Sequence, residues 1–142
     1  MPKIDQYWVS NELYYTTEHT WARIEEKGTA KVGVDDFASK TAGEILFVQT
    51  LGIGEEIKFM KPFGEIETSK WVGELYSPFT GKIVAVNREV VEKPQLINED
   101  PYGAGWLIEI QPAKMNEEIP KLLHGEKATE WLKKEVEAKK KT

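Results

Sequence analysis

The sequence predicts a mainly β protein with a short internal helix and a helical C-terminal segment, and three observations carry that expectation. From about Tyr14 to Gln111 the chain runs in short apolar stretches rich in β-branched and aromatic residues. Gly, Pro, Asn and Asp break them at close intervals. From Lys114 onward the composition turns to Glu, Lys, Leu and Ala. The β region also repeats itself once. Gly43-Glu44-Ile45-Leu46-Phe47-Val48 is echoed by Gly81-Lys82-Ile83-Val84-Ala85-Val86, and Pro62-Phe63-Gly64 by Pro101-Tyr102-Gly103. The latter pair each lead into an apolar strand ending in Glu67 or Glu109. Two copies are too few for a solenoid and suggest two sheets related by a pseudo-twofold axis, packed as a flattened barrel or sandwich. Unrelated strands that share a period-two pattern would produce a similar echo.

The elements follow in order. Thr20-Trp21-Ala22-Arg23-Ile24-Glu25 alternates with period two, Lys27-Gly28 supplies a turn, and Thr29-Ala30-Lys31-Val32-Gly33-Val34 alternates again, which predicts a hairpin. Asp35-Asp36-Phe37-Ala38-Ser39-Lys40 offers an N-cap and one helical turn, stopped by Gly43. In Gly64 to Tyr76 two strands flank a polar tip, with Ile66 and Leu75 inward and Glu65, Glu67 and Glu74 toward water. A turn centred on Ser69-Lys70 would put the lysine at the outermost point. No Asn-Gly pair marks that turn, so the flanking strands alone carry the reading. Trp106, Phe47 and Tyr102 are packing candidates. Near the end, Trp131, Leu132 and Val136 share one helical face, which predicts a helix lying against the sheet and ending in a solvated lysine-rich tail.

At 142 residues the chain fits a single domain, residues 1–142, with a β core over about 14–111 and a helical segment over about 114–142. A net charge of -5 gives no footing for nucleic acid. No apolar run reaches membrane-spanning length. The opening Met1-Pro2-Lys3-Ile4-Asp5 lacks the apolar stretch of a signal peptide, so a cytoplasmic location is expected. There is no cysteine, which removes disulfides, thiolate metal sites and a cysteine nucleophile. The two histidines, His19 and His124, are too far apart in sequence to suggest a ligand pair, so no metal is expected, and His19, with no evident nucleophile to activate, reads as structural. Sulfur chemistry would have to come from a cofactor.

On composition alone, an exposed lysine among glutamates is a solvated surface charge. A resemblance changes that reading of Lys70. Tyr15-Thr16-Thr17-Glu18-His19-Thr20-Trp21, Gly33-Val34-Asp35-Asp36-Phe37-Ala38, Gly43 to Val48, Glu67-Thr68-Ser69-Lys70-Trp71, Leu75-Tyr76-Ser77-Pro78-Phe79-Thr80-Gly81, and Leu96 to Gly103 with Gly105-Trp106-Leu107-Ile108 resemble, in order and spacing, the motifs of the glycine cleavage system H protein family. The likeness covers about two thirds of the chain. It implies a barrel-sandwich hybrid of the lipoyl/biotinyl type, with lipoic acid joined by an amide to Lys70. Glu67, Trp71 and Glu74 would lie at the hairpin tip that a lipoate ligase or lipoyl transferase recognises. It further implies a non-enzymatic carrier, expected to be monomeric. Its arm would take an aminomethyl group from a pyridoxal-phosphate glycine decarboxylase to a folate-dependent aminomethyltransferase, then present the dithiol to a dihydrolipoyl dehydrogenase. Group carriers of this kind leave the chemistry to cofactor and partner.

The chain departs from the family pattern around that arm. Thr20 stands where an acidic residue usually precedes the Trp, Ser69 replaces a valine, Trp71 replaces a small alanine, and Thr41 stands where some members have histidine. Loss of a carboxylate there would remove a partner for an ammonium group. Two alternatives therefore stay open: an H-like lipoyl carrier serving sulfur oxidation or lipoyl relay, and an unmodified β-sandwich binding domain. A biotinyl carrier is the related fold, but its lysine is typically flanked by methionines, and Met60 is the only one near Lys70.

Overall fold

The computed structural model describes residues 2–141. Its strands are β1 (Lys3–Ile4), β2 (Tyr7–Trp8), β3 (Tyr14–Tyr15), β4 (Thr20–Ile24), β5 (Ala30–Val34), β6 (Phe47–Thr50), β7 (Glu56–Ile57), β8 (Pro62–Glu67), β9 (Val72–Tyr76), β10 (Gly81–Val86), β11 (Ile108–Pro112) and β12 (Leu123–His124). The helices are α1 (Asp36–Ala42), α2 (Arg88–Glu92), α3 (Leu96–Glu99), α4 (Met115–Glu118) and α5 (Glu126–Lys140), with one 3-10 turn over Ile119–Lys121. All strand pairs are antiparallel. They form a seven-stranded sheet in the order β12-β3-β4-β5-β11-β10-β7, a three-stranded sheet β6-β8-β9 and a small β1-β2 ribbon.

The expected hairpin is β4–β5, paired from Thr20↔Val34 to Ile24↔Ala30. Its turn is closed by Gly28 at φ 90°, a left-handed position that glycine adopts without Cβ penalty. The internal echo has a structural counterpart. One copy lies in each large sheet, and both pair in the same register: Phe47 faces Glu67 across β6–β8, and Ala85 faces Glu109 across β10–β11. The two sheets are unequal in strand number, because only the second copy has β5 and the strands beyond it to extend the sheet.

Between the sheets lies the largest apolar cluster. Val32, Ile83, Ile108 and Ile110 come from the large sheet, and Val48, Phe63, Ile66 and Leu75 from the small one. Each side chain so buried contributes about 1.5–3 kcal/mol relative to exposure. Phe47 corrects the sequence reading: it is half exposed on the outer face of β6, because Val48, its neighbour, takes the inward position. The α2 and α3 turns, placed within the predicted β stretch, form at Asn87, whose side chain caps Glu89 N–H, and after Pro94. These turns bury Val90 and Ile97 in the main core. The short helix α1 is longer than the single turn expected, with Asp35 as its cap and Gly43 (φ 83°) at its end.

A second cluster packs α5 against the large sheet, with Leu132, Val136 and Ala128 buried beside Tyr15, Trp21 and Phe37. The expected helical face is thus the buried one, although Trp131 is only partly covered. β12, inside the segment read as helical, pairs with β3 and lays the chain down before α5 begins. Trp21 is wholly buried, and its indole N–H is shared between the carbonyls of Val34 at 3.0 Å and Pro101 at 3.1 Å. Its ring covers Gly33.

His19 fastens α5 to the sheet. Its Nδ1 lies 2.8 Å from Asp35 Oδ2 and its Nε2 2.7 Å from Glu135 Oε1, and its ring stacks on Phe37. Contact with a carboxylate on each nitrogen suits an imidazolium, which alone donates from both. Burial disfavours that charge, but Asp35 and Glu135 together outweigh it and hold the His19 pKa above its ordinary value.

Two predictions follow from this packing. A Cβ on Gly33 would stand 2.5 Å from the Trp21 ring, which its two hydrogen bonds keep from moving. Gly33→Ala should therefore cost about 1–3 kcal/mol by overpacking, read from urea denaturation. Because the folded pKa of His19 is raised, its stabilisation is complete below the unfolded value of about 6.5 and fades as pH climbs through the folded value. Wild type should thus lose stability relative to His19→Asn as pH rises above about 6.5, the asparagine side chain tolerating the positive φ of 69° at this position. A constant gap between the two unfolding curves across that range would count against the charged lock.

Candidate functional site

The β8–β9 hairpin carries the lysine. Register runs from Pro62↔Tyr76 to Glu67↔Val72, and beyond it Thr68 N–H donates to Trp71 O at 3.0 Å, leaving Ser69 and Lys70 as the turn. Thr68 is buried, and its Oγ1 accepts from Lys70 N–H at 3.2 Å and Trp71 N–H at 3.3 Å. A hydroxyl thus does the work of a turn-former in a sequence that lacks Asn-Gly. Lys70 itself is exposed, with its backbone pinned. The sequence expectation that Ile66 and Leu75 face inward and Glu65, Glu67 and Glu74 outward agrees with the burial of each.

Those glutamates are arranged at some cost. Glu65 stands directly across from Glu74, and like charges in opposed strand positions are unfavourable. Glu67 occupies the next row toward the tip, between Phe47 and Val72, both more than 45% exposed. The outer face beside Lys70 is consequently acidic with apolar patches.

Trp71 departs from the simple picture of a tip residue. Its ring folds back over Gly73, two residues along the same strand, where a Cβ would stand 2.0 Å from the indole. There it helps to line a cleft of about 210 Å³ between the hairpin and the β4–α1 corner. Phe37, Ala38, Val34, Ile66 and Leu75 supply apolar walls, and Glu18, His19, Thr20, Thr41 and Glu74 the polar ones. Thr20 is buried and donates to Tyr76 O at 2.8 Å, which ties the end of β9 to the start of β4. Trp71 and Glu74 take part in this lining, and Glu67 and Lys70 do not. Sequence reasoning missed Glu18, Phe37 and Gly73 as site residues. Only the glycine left a signal, as the one position on the inner face of β9 without a side chain.

The comparisons agree with this geometry. Residues 13–135 match the model of the glycine cleavage H-protein family. A probable glycine cleavage system H protein of Pyrococcus abyssi is 42% identical over 133 residues, 94% of this chain and 98% of that one. The glycine cleavage system H protein of Mycobacterium leprae is 45% identical over 102 residues, 72% of this chain and 77% of that one. A crystal structure of a glycine cleavage system H protein from Mycobacterium marinum superposes with a TM-score of 0.79 at 33% identity, covering 90% of this chain and 99% of that one. The barrel-sandwich hybrid expected from the sequence is the fold found. The chain belongs to the glycine cleavage H-protein family, whose members carry lipoate and serve the glycine cleavage system as its carrier component rather than as a catalyst.

Proposed function

We propose that Lys70 carries the lipoyl group, as an amide on Nζ, and that the chain acts as a single monomeric carrier domain in the cytoplasm. The observation that carries this reading is the rigid two-residue tip: an exposed lysine whose backbone is held by Thr68, within the stretch that matches the family. A lipoate ligase or lipoyl transferase needs an accessible amine in a fixed position, and the acidic face of Glu65, Glu67 and Glu74 suits an enzyme with a basic entrance. When bound, the dithiolane supplies a redox-active thiol pair on a long flexible arm.

The cleft fits such an arm. Its apolar walls suit the hydrocarbon chain, and Glu18 supplies negative charge where Thr20 has no carboxylate. That favours a cationic load, an aminomethyl group taken from glycine decarboxylase to aminomethyltransferase, with dihydrolipoyl dehydrogenase restoring the disulfide. The residues of this chain orient the arm, exclude water from its loaded end and keep the amine protonated; the bond-making belongs to the partners.

Protein purified from its native host should show the mass of one lipoyl amide, mapped to the peptide holding Lys70 and absent in Lys70→Ala. An unmodified mass, with no transfer by lipoate ligase in vitro, would sink the proposal. Thr68→Val should slow lipoyl transfer about three- to tenfold, on the scale of losing one or two ordinary hydrogen bonds, while the midpoint of thermal unfolding stays within a few degrees. Timed mass spectrometry of the transfer reaction gives the rate.

A further inference from the structure

Exposed apolar side chains gather beside β6, the outer strand of the small sheet. Phe47, Leu51, Ile53 and Val91 are each at least 41% exposed, and with Val86 they line a groove of about 400 Å³ between β6 and α2. Single apolar residues on a surface need no explanation, but a contiguous set marks an interaction site. Ile53 is the clearest case. At 67% it is the most exposed large apolar side chain among the described residues, yet its backbone is fixed. Glu55 N–H donates to Gly52 O at 3.1 Å, and Gly54, at φ 91°, supplies the left-handed corner of that turn. The turn is then tied to β10 in both directions, Gly54 N–H to Ile83 O and Ile83 N–H to Glu55 O. An apolar knob held out on a rigid turn loses little freedom when a partner covers it.

The groove is continuous with the lysine hairpin. Phe47 and Gln49 at its edge stand across from Glu67 and Glu65 on β8, on the outer face that leads to Lys70. Glu92 adds a carboxylate against Arg88, the one cation in the lining. That balance fits a partner with an apolar ridge and a basic rim. The unmodified chain offers such a partner only the four-carbon stem of a lysine, so an enzyme that modifies Lys70 has to come down on the hairpin itself. The inner face of that hairpin is turned to the β4–α1 corner, which leaves the outer face and the groove to grip. We propose that the β6–α2 groove is the docking surface for lipoate ligase, with Ile53 and Val91 as its apolar anchors. This deepens the lipoyl-carrier reading and rests on it. Enzymes that act later meet a long arm and can stand off from this surface, so the groove serves attachment rather than the cycle.

The test titrates the full unmodified chain against lipoate ligase with lipoate and ATP, and follows lipoyl-Lys70 by intact mass. Ile53→Ser and Val91→Ser, both at exposed positions, should each raise the KM for the chain about five- to thirtyfold, the cost of one interface anchor, with kcat changed by less than about twofold. Ile53→Leu should restore the wild-type KM. Val84→Ser, exposed on β10 but outside the groove, should leave it unchanged. Once lipoylated by prolonged incubation, both serine variants should turn over with dihydrolipoyl dehydrogenase at the wild-type rate. Equal KM for wild type and both serine variants overturns the inference alone. So does an equal loss with ligase and dehydrogenase, which would mark a general docking face or a disturbed hairpin. A wild-type chain that accepts no lipoyl group overturns the carrier reading and this inference together.

Discussion

The buried carboxylate of Asp35 is the constraint on which the rest of the site depends. One oxygen caps α1 by accepting from Ala38 N–H at 2.8 Å; the other holds His19, which reaches Glu135 on the last helix. A single side chain thus sets the start of α1, the corner before β4 and the seat of α5. Phe37, Ala38 and Thr41 on α1 and Glu18 to Thr20 at the corner are the stationary half of the cleft. Removing the carboxylate would loosen three elements at once, since the helix amide and the imidazolium would both lose their buried partner.

The opposite half of the cleft is set by strand pairing. β8 and β9 are anchored at their base, where Thr20 bonds to Tyr76 O and Ser77 N–H to Lys61 O, and along their inner face by Ile66 and Leu75 in the core. The tip then extends from a fixed stem. Two sheets built from similar sequence copies meet here, one bearing the lysine and the other the corner that faces the hairpin.

Much of this was legible in the residues. Period-two alternation located β4, β5, β8 and β9, and Asp35 and Gly43 marked the limits of α1, because these signals act over a few positions. The Ser69-Lys70 turn was found from its flanks. What the sequence withheld was contact between distant positions: His19 and Glu135 lie 116 residues apart, and nothing local marks them as partners. The two-residue strands β1, β2, β3, β7 and β12 are too short for any periodicity, and α2 and α3 are held by Val90 and Ile97 in the core rather than by helix-forming sequence. The inward turn of Trp71 depended on the emptiness of Gly73, a fact about space that a string of letters does not carry. Phe47 misled for a related reason, since an aromatic residue on an edge strand reads like core until its face is known.

The Thr68 hydroxyl that receives two amides of the tip has one more effect. With the backbone locked up to Cα of Lys70, the first free joint is the χ1 torsion of that lysine, and every later joint belongs to the side chain. On the proposed attachment, a partner that takes up an arm carried by Lys70 would arrest a short series of swivels and no loop at all. The ordering penalty is confined to roughly 0.5–1.5 kcal/mol per arrested side chain, and the remainder of the docking energy is left for recognition. Such a tether can be handed from one enzyme to the next without any of them rebuilding the protein that holds it.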